Sequence, residues 1–286
     1  MTIRTINKGF IRGYDGSFFR TIDKKILNKG SILAERRGEY QVVKKYEPDN
    51  FKLETSTVWS FPFRGEWATH NGSYRGNWSP YVPRNLILRY TREDDIVLDP
   101  FVGSGTTMIE CKLLKRHGIG VDINQKSIDL TTMNTNFDYN NSYQPDLFCA
   151  DARNIDFVGN ESIDLICAHP PYANIIKYSV NLDGDISLYD IPKFLNEIAK
   201  VASECFRVLK RNKYCAILIG DTRKNGSIVP LGTKVMAKFF EAGFNLKDIV
   251  IKEQHNCKSS SFWEEKCLRY NFMMIAHEYL YIFSKK

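Results

Sequence analysis

The stretch that most constrains this chain is an apolar run that ends in an acid and breaks at once into a glycine turn. It reads Asp95-Ile-Val-Leu-Asp99, then Pro-Phe-Val-Gly103-Ser-Gly105-Thr-Thr. The run reads as a buried strand. Thr106 to Arg116 reads as a helix with Met108, Ile109, Cys111, Leu113 and Leu114 turned inward. The two glycines let the backbone of the turn pass close to a ligand. A strand that turns through glycine into a helix opens a parallel α/β sheet, and such sheets bind ligands at the carboxyl ends of their strands. A lone Gly-x-Gly would imply only a tight turn. A phosphate-binding loop is disfavoured because no Gly-Lys-Ser/Thr follows.

The alternation continues from there. Strands are predicted at 118–122, 147–150, 163–168 and 214–220, and helices at 127–137, 191–209 and 231–242. Two closing strands, 248–252 and 279–283, read as an antiparallel pair. Upstream, residues 57–83 combine aromatics with Gly and Pro and read as loop and turn. Residues 1–56 form a basic N-terminal extension of weak periodicity, ahead of the main domain at 57–286. In residues 1–60, twelve Lys/Arg face seven Asp/Glu, so +5 of the chain's formal +7 lies in its first fifth. A basic face of this kind suits phosphate contacts, although a solvated surface would look the same.

Composition narrows the class further. No window approaches a membrane span and no secretory signal is visible, so a cytoplasmic protein is expected. The seven cysteines lack any Cys-x-x-Cys pair, so neither a disulfide scaffold nor a zinc site is expected. Cys257 and Cys267, near His255 and His277, fit no familiar metal spacing.

A second string, Ala168-His169-Pro170-Pro171-Tyr172, follows the fourth strand. The full glycine string, with the acidic strand end Asp122 seventeen residues after Gly105, resembles the S-adenosylmethionine loop of amino-group DNA methyltransferases, the cytosine-N4/adenine-N6 family. His-Pro-Pro-Tyr resembles that family's Asp/Asn/Ser-Pro-Pro-Tyr/Phe, with histidine in place of the usual first residue. The cofactor motif precedes the catalytic motif. The resemblance covers residues 57–286 and implies an S-adenosylmethionine-dependent Rossmann-like fold. That fold has a mostly parallel seven-stranded sheet with an antiparallel last strand.

The resemblance also implies roles. Asp99, Pro100, Phe101, Gly103, Ser104, Gly105 and Thr106 would hold the cofactor, with Asp122 on the ribose hydroxyls and Asp151 and Ala152 near the adenine. Tyr74 to Ile87, including Asn77 and Trp78, resembles the segment that closes over the methionine end. His169, Pro170, Pro171 and Tyr172 would form the catalytic clamp. An exocyclic amino nitrogen is a poor nucleophile because its lone pair is delocalised into the ring. Acceptors on its two protons pull it toward tetrahedral geometry, and prolines fix φ and so aim their carbonyls. Tyr172 would stack on the flipped base.

A neutral imidazole accepts one hydrogen bond and an imidazolium accepts none. An accepting His169 therefore predicts activity that falls as pH drops through its pKa, inside roughly pH 5.5–8. Alternatively, His169 only caps the strand end and a proline carbonyl does the work.

The expected function is transfer of a methyl group to cytosine N4 or adenine N6 in double-stranded DNA, within a restriction–modification system. A cognate endonuclease is the expected partner, and the state a monomer or homodimer. Two other readings are an RNA (guanine-N2) methyltransferase and an inactive DNA-binding subunit. DNA reading falls to the basic N-terminal segment or to an insert at 254–276, where Lys258, Ser259, Trp263 and Arg269 combine charge, polarity and an aromatic ring. The insert equally reads as a long hairpin loop.

Overall fold

A computed structural model describes residues 43–173, 179, 182–255 and 262–286, and the backbone alone of 260–261, 4–6, 10–12 and 18–20. Those last three segments are strands β1 (Arg4–Ile6), β2 (Phe10–Arg12) and β3 (Phe18–Arg20), paired as an antiparallel meander. In chain order the remaining elements are β4 (Val58–Trp59), α1 (Tyr81–Tyr90), β5 (Ile96–Asp99), α2 (Thr106–Leu113) and β6 (His117–Asp122). Next come α3 (Gln125–Asn134), β7 (Asp146–Cys149), β8 (Ile163–Ala168) and α4 (Ile191–Val208). The chain continues with β9 (Leu209–Ile219), a hairpin of β10 (Thr222–Lys224) and β11 (Ser227–Val229), and α5 (Leu231–Glu241). It closes with β12 (Asn245–Glu253), α6 (Ser260–Tyr270) and β13 (His277–Ser284).

The main sheet has the order β4-β12-β13-β9-β8-β5-β6-β7. Strands β7, β6, β5, β8 and β9 are mutually parallel, and β13 runs antiparallel to both of its neighbours. The seven expected strands are thus present, with the last antiparallel. An eighth, β4, adds to the edge, parallel to β12. Side chains alternate between two cores, as the period of a strand requires. Leu98, Ile166, Ile217 and Phe283 face α4 and α5, meeting Phe194, Ile198, Val201 and Phe239. Val97, Leu165, Leu218 and Leu280 face the other way, against Leu86 and Ile87 of α1, Met108 of α2 and Ile128 of α3. Strands covered on both faces read as continuous apolar runs, and every residue of β5 and β8 is buried. Of the two acids there, Asp99 ends β5 and Asp164 is paired by Lys210 and Lys213.

Three expectations are corrected. Residues 57–83 are not all loop, because α1 begins at Tyr81. Pro83 reads as a breaker but lies in the first turn, where a missing N–H costs nothing. Arg84 and Asn85 disguise the pattern because both are buried polar residues with partners, Glu110 and the Glu54 amide. Strand β9 starts at Leu209, directly after α4. The insert at 254–276 carries a helix rather than an extended loop.

Residues 43–56 pack on the body, with Tyr46 against Phe137 and the Ala68 amide donating to the Lys45 carbonyl. Cys111, Cys167, Cys205 and Cys215 are buried thiols. Cys257 lies outside the described residues. Among the described residues, no cluster of three metal-ligating side chains occurs and no helix is long and apolar enough to cross a membrane.

Candidate active site

The strand order reverses between β5 and β8, and the carboxyl ends of β5, β6 and β8 open on one cleft of about 840 Å³ counted out to its mouth. At β5, Asp99 is buried and organises the glycine turn. One carboxylate oxygen accepts from the Phe101 amide at 3.0 Å and the other from the Thr107 hydroxyl at 2.5 Å. Burial pushes the Asp99 carboxyl up to about 7. Gly105 caps α2 with φ +85°, and a Cβ there would lie 2.7 Å from the Thr131 methyl, so no side chain fits.

At the end of β6, Asp122 accepts from the Gly103 amide at 3.0 Å and the Asn124 amide at 2.9 Å. Burial again raises the carboxyl, here to about 6. The aromatic segment forms the opposite wall. Asn77 donates to the Ser104 hydroxyl at 3.0 Å, and Tyr74 lies over Gly103 with its hydroxyl 3.2 Å from that of Ser127. Arg64 fixes this wall by donating to the carbonyls of Asn77 (3.1 Å) and Trp78 (2.5 Å). Asp151 is paired with Arg153, which also reaches Glu197 and the Gly184 carbonyl.

Of the residues assigned from sequence to the cofactor, Asn77, Trp78, Asp99, Pro100, Phe101, Gly103, Ser104, Thr106, Asp122, Asp151 and Ala152 all line this cleft. Gly105 sits behind it as the helix cap. Of the clamp, His169 and Pro171 line the cleft. Pro170 is buried and Tyr172 lies to one side, with its ring against Gly220.

His169 is held by side chains rather than backbone. Its Nε2 is 2.9 Å from the Tyr172 hydroxyl, which donates to Glu278 Oε1 at 2.6 Å. Lys252 holds the other Glu278 oxygen at 2.9 Å, and the Trp78 ring stacks on the imidazole at 5.7 Å and 22°. Burial pushes His169 down to about 4, with the Glu278 carboxylate opposing and the Lys252 and Arg64 cations adding. The imidazole is therefore neutral throughout pH 5.5–8, and the titration expected within that range is corrected to one near 4. Glu278 and Lys252 escaped the sequence reading. No local signal marks Glu278, whose burial and cross-strand pairing with Lys252 belong to the fold. Asp185, which also lines the cleft, was missed too; it accepts from the Ser187 amide and the Ser179 hydroxyl.

Trp263 and Arg269 lie on α6, away from the cleft lining, and Lys258 and Ser259 fall outside the described residues. Helix α6 and the turn after it expose Phe262, Trp263, Leu268, Tyr270 and Met273. The Lys266 ammonium lies over the Phe262 ring at 4.0 Å. Arg223 of the β10–β11 hairpin ties that hairpin to the turn by donating to the Met273 carbonyl at 3.0 Å. His255 is 2.9 Å from the Ser60 hydroxyl.

The sheet order, the antiparallel β13 and the cleft define the S-adenosylmethionine-dependent methyltransferase fold. A solved methyltransferase of that class from Methanosarcina mazei superposes with a TM-score of 0.50 at 16% identity, covering 70% of this chain and 96% of its own. A DNA methylase family model, of the N6/N4 methyltransferase type, matches residues 17–133 and 163–286, and the chain belongs to that family. A second model, described as an RMKL-like methyltransferase domain, matches residues 86–221.

Among curated relatives, the type II methyltransferase M.HpaI of Haemophilus parainfluenzae is 49% identical over 55 residues, 19% of this chain and 18% of its own. M2.MboI of Moraxella bovis is 33% identical over 92 residues, 32% of this chain and 33% of its own. M2.DpnII of Streptococcus pneumoniae is 38% identical over 105 residues, 35% of this chain and 39% of its own. The matched stretches thus span well under two thirds of these relatives. By family and fold, S-adenosylmethionine is the cofactor of this chain.

Proposed function

We propose that the chain is a site-specific DNA methyltransferase that modifies the exocyclic amino group of a flipped-out base, cytosine N4 or adenine N6. The observation that carries this reading is the opening of His169 and Pro171 of the clamp on the same cleft as the glycine loop. The names of the relatives, all type II methyltransferases, support a DNA substrate and a restriction–modification setting with a cognate endonuclease. A cytoplasmic monomer or homodimer fits that setting.

The cleft fits S-adenosylmethionine by the chemistry of its donors and acceptors. Asp122 would accept from ribose hydroxyls, Asp151 from the adenine amino group, and Phe101 and Ala152 would flank the ring. Asp185 adds a third carboxylate suited to a cationic ligand. When bound, the cofactor supplies an electrophilic methyl on a sulfonium. The chain's own residues prepare the acceptor. His169, neutral and buried, takes one amino proton as a hydrogen bond, and a carbonyl of the Pro170-Pro171 segment takes the other. Holding these acceptors in place before the base arrives is electrostatic preorganisation, and Trp78 stacked on the imidazole fixes its plane. A histidine pushed down to about 4 binds a proton weakly, so His169 acts as an acceptor rather than a proton store.

Residues 57–286 form the methyltransferase domain in this reading, with 1–56 a basic extension toward DNA. The 254–276 insert contacts the duplex through Trp263 and Arg269, together with Lys258 and Ser259. The exposed aromatic rings of α6, with the Lys266 ammonium over Phe262, support that assignment. The test is genomic DNA from a methylation-free bacterial host expressing the chain, hydrolysed to nucleosides and read by mass spectrometry. N4-methylcytosine or N6-methyladenine, absent when His169→Ala is expressed, is the expected result. Neither base appearing would overturn the proposal.

A further inference from the structure

We propose that Lys252, Glu278 and Tyr172 are positioning residues that hold His169 as its Nε2–H tautomer and so leave Nδ1 as the acceptor for the target's amino proton. The inference rests on the amino-methyltransferase reading above. Aspartate, asparagine or serine at the clamp's first position presents an accepting oxygen whatever its surroundings. A neutral histidine does not, because one ring nitrogen donates and only the other accepts. The wrong tautomer would point an N–H at the amino group and oppose the reaction.

The hydrogen bonds around His169 settle which nitrogen carries the proton. Lys252 and Glu278 are directly opposite one another in the β12–β13 register, and Lys252 Nζ holds Glu278 Oε2 at 2.9 Å. Burial of Glu278 opposes its charge. The Lys252 ammonium and the neighbouring groups nonetheless keep it below the usual carboxylate range, so it is an acceptor only. Tyr172 has a single proton and gives it to Glu278 Oε1 across 2.6 Å. The contact at 2.9 Å between the Tyr172 oxygen and His169 Nε2 is then a hydrogen bond only if Nε2–H donates. Direct donation to Glu278 is out of reach at 3.9 Å, so the tyrosine is the link. Among the described residues the polar contacts of the ring are all at Nε2, which leaves the Nδ1 lone pair for a ligand in the cleft that His169 lines. Gly220 makes room for the link, since a Cβ there would lie 3.1 Å from the Tyr172 ring.

The relay has a direction, and one substitution should reverse it. In Glu278→Gln, Lys252 retains the amide oxygen as its acceptor and the amide NH2 turns toward Tyr172. The tyrosine hydroxyl then donates to His169 Nε2, 2.9 Å away, and the proton moves to Nδ1. Nitrogen NMR of protein labelled at histidine, at neutral pH, reads this without any turnover. Wild type should show a protonated Nε2 and a bare Nδ1 for His169, and Glu278→Gln the opposite. A protonated Nδ1 in wild type, or the same tautomer in both proteins, would overturn the proposal.

In turnover, Glu278→Gln should lower kcat by about 10²-fold, the scale of one lost preorganised hydrogen bond, at unchanged cofactor affinity. In a His169→Asn background, whose side-chain oxygen needs no tautomer, the same change should cost only a small part of that. An equal loss in both backgrounds would mark Glu278 as merely structural and overturn the proposal. Wild-type protein with the stated tautomer but no methyl transfer to DNA would instead overturn the methyltransferase reading, so the two failures are distinguishable.

Discussion

At the glycine-loop end of the cleft, Asp99 and Asp122 hold backbone amides of one continuous turn, Phe101 and Gly103. At the β8 end, His169 is held by side chains from the far end of the chain, through Tyr172 to Glu278 and Lys252. The first end is built from local backbone geometry and the second from a side-chain relay. The loop therefore depends on a backbone turn that leaves no space for a side chain at Gly105, whereas a histidine at the clamp depends on the relay that sets its tautomer. It also separates two quantities that mutation should move independently, cofactor affinity and methyl-transfer rate.

The largest effect should come from the clamp. His169→Ala is expected to lower kcat by about 10²–10³-fold, as for loss of a preorganised hydrogen-bonding group, while calorimetry finds cofactor affinity nearly unchanged. A collapse of affinity in that variant would break the division between the two ends. Asp122→Ala should do the reverse. The loss of charge-assisted hydrogen bonds is worth about 1.5–3 kcal/mol, or roughly ten- to a hundredfold in cofactor Kd.

Gly105→Ala tests the backbone claim. A side chain at φ +85° and 2.7 Å from Thr131 should cost about 1–3 kcal/mol of stability, measured by denaturant unfolding. The two ends should also titrate apart. With His169 at about 4, kcat at saturating cofactor should be flat from pH 5.5 to 8. Ribose hydroxyls prefer an ionised acceptor, so cofactor affinity should weaken as pH falls through about 6, where Asp122 takes up a proton. The smallest effect belongs to α6. Arg269→Ala should weaken DNA binding a few-fold and reduce the salt slope of binding by about one, with no change in cofactor Kd.

The same contrast governs what the sequence revealed. The glycine turn, the strand ending at Asp122 and the helix at Ile191–Val208 were legible because strand, cap and helix periodicity are local signals. Asn77 and Trp78 fell on the cleft wall because a resemblance of whole segments located them. Glu278 and Lys252 were not legible, since their meaning lies in a cross-strand register and in a contact with Tyr172 spanning 106 residues. Helix α1 was hidden by Pro83 and by the buried polar pair Arg84 and Asn85, whose partners lie in other segments. The acidity of His169 depends on burial that no local pattern encodes, which is why the sequence placed its titration too high.

The central claim is that one cleft joins the methyl donor to an amino nitrogen of DNA. Purified protein incubated with methyl-labelled S-adenosylmethionine and either duplex DNA or total RNA, followed by nucleoside mass spectrometry, tests it most directly. The account predicts label in DNA alone, on cytosine N4 or adenine N6, and its loss in His169→Ala. Label confined to RNA, or on a ring carbon of cytosine, would contradict it.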